Sequence, residues 1–205
     1  MDGVIVDSEP RHERALYEVL HEIGYGDRHG IHFADYIGRR DQDLWIDFIA
    51  KHSPPHSLDE LLALKRRRVV EILRRDRPIF EGLLQLVEKL AARVPLALAS
   101  GSERLVVEEV LNLSGLRPNF RLTVSGSDIT RGKPDPQIFL QTAAQLGIAP
   151  EDCWVIEDSL PGITAALAAN MRVIAITNSH PAEELQAATV VVRSNAEIER
   201  LLQIA

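Results

Sequence analysis

Cysteine is almost missing from this chain: Cys153 stands alone, so no intrachain disulfide is possible and a reducing compartment suits it. It opens the apolar run Cys153-Trp154-Val155-Ile156 and reads as core packing rather than as a reactive thiol. A basic surplus is missing too. With 23 Lys and Arg against 30 Asp and Glu the net charge is −7, which speaks against nucleic acid as a main partner, because phosphate-backbone affinity needs a dominant basic surface. A small anion remains admissible, since a local cationic site can sit inside an acidic protein. No apolar stretch approaches the ~20 residues of a membrane span, and no basic-then-apolar leader, internal repeat or low-complexity tract is visible. A cytoplasmic monomer with neither a membrane nor a nucleic-acid partner is the expectation.

What is present is enough apolar material for a packed core: 45% of 205 residues, with 26% charged. That length fits one domain, or one domain carrying an inserted module. The first third reads as helical. Asp7-Ser8-Glu9-Pro10 is a helix start, with cap-type side chains and a proline that fits the first turn. Ala15, Leu16, Val19, Leu20 and Ile23 then recur at helical spacing until Gly24. A second helix is expected over 42–51. Ser57-Leu58-Asp59-Glu60 is a capping box for a third, running through Leu61, Val69, Ile72 and Leu73. The run Lys65-Arg66-Arg67-Arg68 is either an anion patch or a solvated helix face, and the acids around it favour the face.

From Pro78 the rhythm changes. Strand-length apolar runs appear at 94–99, 122–124, 154–156, 173–176 and 190–192. Helical patterns separate them at 81–92, 103–113, 136–146, 161–169 and 182–186, and a last one covers 196–202. Alternation of this kind, with short fully apolar strands, predicts an α/β fold with a doubly wound, Rossmann-like parallel sheet. The helical stretch then reads as an α-helical cap, residues 10–77, inserted into an α/β core of residues 1–9 and 78–205.

In such a sheet ligands bind beyond the carboxyl ends of the strands, so the residues after each apolar run are the candidates. After 94–99 come Ser100-Gly101-Ser102 and a helix start, a hydroxyl and free N–H groups that suit a phosphate. Small polar residues end many strands, so this segment alone decides little. Further on, Lys133 sits in Arg131-Gly132-Lys133-Pro134-Asp135-Pro136, one of four lysines against nineteen arginines. A compact ammonium there suits a phosphate and a carboxylate together, although a surface turn is the plain alternative. After 154–156 come Glu157-Asp158-Ser159. Two adjacent acids at a buried strand end call for a cation, and hard oxygen ligands suit Mg2+. A helix N-cap would explain one of the acids but not both.

Together with Asp2-Gly3-Val4-Ile5-Val6-Asp7-Ser8-Glu9-Pro10, these segments resemble the haloacid dehalogenase-like superfamily, in its β-phosphoglucomutase-like and phosphatase branch with a small helical cap. Members open on D-x-D-G-[VT]-x-x-D-[ST] and carry a strand ending in Ser, a G-K-P-x-P lysine and an E-D-S-x-x-G-I acid pair. Here the counterparts are D-G-V-I-V-D-S-E-P, A-S-G-S, G-K-P-D-P and E-D-S-L-P-G-I, in order along essentially the whole chain.

The resemblance implies a Mg2+-dependent hydrolase of a small phosphorylated metabolite, most simply a sugar phosphate, working through an aspartyl-phosphate. Asp2 matches the general acid/base, and its backbone carbonyl would also ligate the metal. Ser100 and Gly101 would hold the phosphoryl group and Lys133 would balance its charge. Asp158 would ligate Mg2+ with Glu157 beside it. His12 matches a histidine that assists the acid/base, and Gly38-Arg39-Arg40-Asp41 resembles a substrate loop in which Arg39 and Arg40 would contact the substrate. Two departures follow. The mutases place an arginine at the position of Asp41 to grip a second phosphate, and an acid there favours hydrolysis over a phosphosugar mutase reaction. The nucleophilic aspartate would stand immediately before Met1, at the end of an apolar strand central in the sheet, and Asp7 lies past the motif. The expectation is a start set at an internal methionine, with a non-catalytic phosphate-binding relative as the other reading.

Overall fold

A computed structural model describes residues 1–37 and 39–202. Three helices come first: α1 (Glu9–Glu22), α2 (Asp41–His52) and α3 (Leu58–Asp76). They bury one another's apolar stripes in a cluster of Leu16, Leu20, Leu44, Trp45, Phe48 and Leu61. The capping box at α3 is formed, with Ser57 Oγ accepting from Glu60 N at 3.3 Å and Glu60 Oε2 accepting from Ser57 N at 2.7 Å. Arg66, Arg67 and Arg68 pair with Glu103, Glu22 and Glu18 as a solvated face does, but Lys65 turns inward and is 2% exposed.

The chain leaves for these helices at Asp7 and returns beside its own exit. Asp7 N donates to Pro78 O at 2.8 Å, Phe80 N donates to Ile5 O at 3.2 Å, and Val6 and Ile79 form an antiparallel bridge. Helices then alternate with strands: α4 (Leu83–Ala91), β1 (Ala97–Ala99), α5 (Arg104–Ser114), β2 (Leu122–Val124), α6 (Gln137–Leu146), β3 (Trp154–Glu157), α7 (Leu160–Ala168), β4 (Arg172–Ile176), β5 (Val190–Val192) and α8 (Asn195–Leu201). All strand pairs are parallel, which is the α/β class that the alternation predicts. Burial on both faces explains the apolar runs: Val173 and Ala175 of β4 face one core cluster, while Ile174 and Ile176 face the other.

Two features differ from expectation. The strands form two ladders rather than one, β1–β2 and β3–β4–β5. Between β1 and β3 lies an apolar cavity of about 570 Å³, lined by Met1, Ile5, Leu98, Val155, Ile156 and Ile174 among others. The expected helix at 182–186 is a series of turns instead. Its bonds run Glu184 N to Pro181 O and Leu185 N to Ala182 O, three residues back rather than four. Five residues are too few to offset helix nucleation. Among the described residues no helix is long and apolar enough to cross a membrane.

Candidate active site

Four chain segments converge at the carboxyl ends of β1 and β3. Met1 and Asp2 arrive from the first turn, Ser100–Ser102 from the end of β1, Lys133 from the loop before α6, and Glu157–Ser159 from the end of β3. The Asp2 carboxylate is the hub. Its Oδ1 accepts from Ser8 Oγ at 2.5 Å, and its Oδ2 accepts from Ser100 Oγ at 3.2 Å and Ser102 Oγ at 2.9 Å. Burial works against its charge, but His12, the N-terminal ammonium and the Ser8 hydroxyl together outweigh burial and hold the carboxyl well below its usual range. His12, 6% exposed, brings Nε2 to 3.4 Å from Asp2 Oδ1. That is an electrostatic contact rather than a formed hydrogen bond, and among the described residues Nε2 has no hydrogen-bond partner.

Lys133 is 6% exposed and ion-paired with Glu157, which rejects the surface-turn alternative. Glu157 is fully engaged. Its Oε1 faces Lys133, while Oε2 accepts from Asp158 N at 3.1 Å, Ser159 N at 3.2 Å and Ser159 Oγ at 2.9 Å. Burial opposes the Glu157 charge, and the Lys133 ammonium overcomes it and keeps the carboxyl below its ordinary range. Ser159 meanwhile caps α7 through Gly162 N. The cap and the acid pair of the sequence are therefore both real, on different residues.

Asp158 is different. It is 3% exposed and, among the described residues, its carboxylate accepts only from Ser179 Oγ. Burial pushes its carboxyl up to about 7, and the neighbouring Glu157 charge adds to the rise. Glu9 is raised as well, first by burial and then by the Asp2 charge. Asp2, Glu9 and Asp158 thus line one pocket, with burial raising two of the three carboxyls. No group of three or more His, Cys, Asp or Glu side chains forms a ready-made metal cage among the described residues. This donor chemistry fits Mg2+, which keeps several waters and takes one or two carboxylates with a substrate phosphate.

On the helical side, Asp41 is ion-paired with the buried Lys65, and Asp41 Oδ1 lies 4.0 Å from His12 Nδ1. Arg40 reaches across to the α/β layer: Nη1 donates to Thr130 O at 2.6 Å, and Nη2 pairs with Asp43 Oδ1 at 2.5 Å. The Arg39 guanidinium lies 5.1 Å over the Tyr36 ring. Gly38 lies outside the described residues. The loop presses directly on the strand ends. A Cβ on Gly101 would stand 2.7 Å from Arg39 O, and one on Gly132 would stand 2.7 Å from Arg40 Cγ. The pocket so enclosed is about 60 Å³, room for about four waters.

Asp2, His12, Ser100, Gly101, Lys133, Glu157, Asp158, Arg39 and Arg40 all line this one pocket. Sequence reasoning misses Glu9, Ser102, Lys65, Asn178 and Ser179. The strand-end rule that points to Ser100 also points to Asn178 and Ser179, which follow β4. Asn178 Nδ2 donates to Gly3 O at 2.7 Å and fixes the backbone beside Asp2.

The sequence profile of haloacid dehalogenase-like hydrolases matches residues 1–170. Hexitol phosphatase B of Escherichia coli O157:H7 is 31% identical over 208 residues, covering 100% of this chain and 91% of that protein. Fructose-1-phosphate phosphatase YqaB of Escherichia coli (strain K12) is 33% identical over 177 residues, covering 83% and 90%. Among solved structures, β-phosphoglucomutase from Clostridium difficile superposes with a TM-score of 0.81 at 24% identity, covering 99% of this chain and 93% of that one.

Proposed function

The chain belongs to the haloacid dehalogenase-like hydrolases, and we propose that it is a phosphatase releasing phosphate from a sugar phosphate or related polyol monophosphate. One observation carries the reading: Asp2, Ser100, Lys133 and Asp158, from four separate segments, line a single pocket. The names of the relatives, a hexitol phosphatase and a fructose-1-phosphate phosphatase, support the same class of substrate.

In this reading the phosphoryl group rests against Ser100 Oγ, the Gly101 N–H and the Lys133 ammonium. Phosphoryl transfer is mostly positioning and charge neutralisation, so hydroxyl, N–H and ammonium donors are the parts required. Glu157 is a positioning residue that holds Lys133 and orients the start of α7. Asp158 and Asp2, with Glu9 nearby, would hold Mg2+, which neutralises phosphate charge when bound.

The nucleophile is assigned to an aspartate directly ahead of Met1. Met1 lines both this pocket and the cavity between β1 and β3, so a strand filling that cavity would deliver its last residue to the phosphate. Its carboxylate oxygen attacks phosphorus, the ester P–O bond breaks, and the leaving oxygen takes a proton. That proton comes from His12 Nε2, 3.4 Å from Asp2, by way of the Asp2 carboxylate. Water then attacks the phosphorus of the acyl phosphate and gives its proton to the ionised Asp2, which returns it to His12. Carboxylate and phosphate are both freed and the proton is restored.

Residues 10–77 act as the cap. The loop of Arg39 and Arg40 packs on Gly101 and Gly132 over the pocket, and movement of α1–α3 would admit the substrate and then exclude water. Asp41 supports hydrolysis over a mutase reaction, because the position holds an acid paired with Lys65 instead of a cation that could grip a second phosphate.

The test is inorganic phosphate release from a panel of sugar phosphates, with and without EDTA, by a chain carrying an aspartate ahead of Met1. EDTA-sensitive release is expected. Isomerised sugar phosphate with no free phosphate would overturn the hydrolytic reading.

A further inference from the structure

The turn after β4 stands behind the candidate site and holds it from there. Thr177 N donates to Val192 O at 3.1 Å, which carries the β4–β5 pairing one residue further and fixes where the turn begins. The next two side chains reach other segments. Asn178 Nδ2 donates to Gly3 O at 2.7 Å, and Ser179 Oγ donates to Asp158 Oδ2. Neither residue lines the pocket, so what they contribute passes through Asp158 and the backbone beside Asp2.

The two oxygens of Asp158 are in different states. Oδ2 holds the Ser179 hydroxyl and packs on Gly3, where any side chain would collide with it. Oδ1 has no donor among the described residues. In the neighbouring acid, Glu157 Oε1 faces Lys133 and Oε2 accepts from Asp158 N, Ser159 N and Ser159 Oγ. Across the whole acid pair, therefore, Asp158 Oδ1 is the oxygen left open. At 3% exposure, bulk water does little to serve it. A buried carboxylate oxygen without a donor is costly unless a ligand supplies the partner.

We propose that Ser179 makes Asp158 a one-oxygen metal ligand and thereby selects Mg2+ over Ca2+. This rests on the assignment of Mg2+ to Asp158 in the phosphatase reading. Mg2+ demands a near-ideal octahedron, whereas Ca2+ accepts about six to eight oxygens and takes a carboxylate through one oxygen or both. A carboxylate giving both oxygens to one ion spans too narrow an angle for an octahedron. With Oδ2 tied to the hydroxyl and pressed on Gly3, Asp158 cannot turn both oxygens to one ion. Ser179 is thus a positioning residue: it orients the ligand and sets its denticity.

The test is calorimetric titration of the 205-residue protein with MgCl2 and, separately, CaCl2, with no phosphate ester present. Ser179→Ala removes the donor from a half-buried turn, and its melting temperature in EDTA reports that it folds. Mg2+ should bind the variant about tenfold more weakly, the scale of a lost hydrogen bond to a ligating group. Ca2+ should bind at least as tightly as before, so the preference for Mg2+ shrinks about tenfold. Ser179→Cys, similar in shape but a weak donor, should shift the preference the same way. A loss of fold or of packing alone would weaken both ions by one factor. Equal weakening of both ions, or an unchanged preference in the folded variants, overturns the proposal and leaves the metal assignment standing. Unchanged Mg2+ binding by Asp158→Asn sinks both.

Discussion

Gly3 and Asp158 are packed so tightly that a Cβ on Gly3 would stand 1.7 Å from Asp158 Oδ2. Gly3 also holds φ at +65°, the left-handed region that costs a residue with a side chain about 1–2 kcal/mol. Gly3→Ala therefore strains the backbone and displaces the carboxylate assigned to the metal. The variant should melt at least about 3 °C below the unaltered protein. Mg2+ should raise the melting temperature of the unaltered protein, and the variant should lose that rise. A variant that melts normally and still responds to Mg2+ would show that Asp158 does not depend on this contact.

Lys133 and Glu157 form a buried pair whose halves behave differently when removed. Lys133→Met alone leaves the Glu157 charge with no ammonium, and about 3–5 kcal/mol of stability should be lost in urea unfolding. Glu157→Gln keeps the acceptor for Ser159 Oγ and removes the charge. Adding it to Lys133→Met should restore most of the stability. Phosphate affinity should stay lost in both, since the ammonium is absent from each. Equal stability of the single and double variants would mean that the pair is not coupled as the geometry indicates.

Legibility of the sequence followed locality. The capping box of Ser57 and Glu60 spans three residues and is realised where its pattern lies. The apolar runs mark β2, β4 and β5 because strands buried on both faces leave no alternation to misread. Lys65 is harder. It stands in a run of four basic residues, three of which do face solvent, and only its four-residue spacing from Leu61 and Val69 marks it as inward. Glu9 is harder still: its surroundings, Asp2, Ser179 and His180, include segments far along the chain that no spacing rule reaches, whereas Ser179 follows a strand end as Ser100 does. The candidates Asp2, Ser100, Lys133 and Asp158 each follow or adjoin an apolar run and meet in one pocket, and the roles proposed for them rest on the family resemblance.

Asp128 offers a pH-dependent stability test away from the chemistry. Its Oδ2 accepts from Ser125 N and Oγ, both at 2.7 Å, and pairs with Arg104, tying the loop after β2 to α5. Burial works against its charge, but the Arg104 and Ser125 donors bring the carboxyl down to about 2. A lowered carboxyl stabilises the folded state above its unfolded value and loses that contribution as pH falls through the folded one. Asp128→Asn should cost about 1 kcal/mol at pH 7, the scale of a lost cap and a half-exposed ion pair. The gap between variant and unaltered protein should close between about pH 4 and pH 2. Urea unfolding at pH 7, 4 and 3 measures it. A gap that widens on acidification would give the opposite sign and reject the assignment.

The cavity between β1 and β3 sets the last prediction. Leu98 of β1 and Val155 and Ile156 of β3 line it, together with Ile5 and Ile174. A parallel strand of about four apolar residues placed there would join the two ladders and bury those side chains at roughly 2 kcal/mol each. Fused ahead of Met1 and ending in aspartate, such a segment should raise the melting temperature and produce Mg2+-dependent phosphate release from a sugar phosphate. The 205 residues by themselves should bind the ester and turn it over hardly at all, because covalent catalysis needs a carboxylate at the attacking position. Three fusions separate the effects. Ending the strand in asparagine should keep the added stability and abolish release. Ending it in aspartate with Asp2→Asn should keep stability and lower release at least about a hundredfold, the scale of a lost general acid/base. Replacing its apolar residues with serine should remove both gains. Full EDTA-sensitive turnover by the 205 residues, equal to that of the aspartate fusion, would refute the assignment and require another nucleophile.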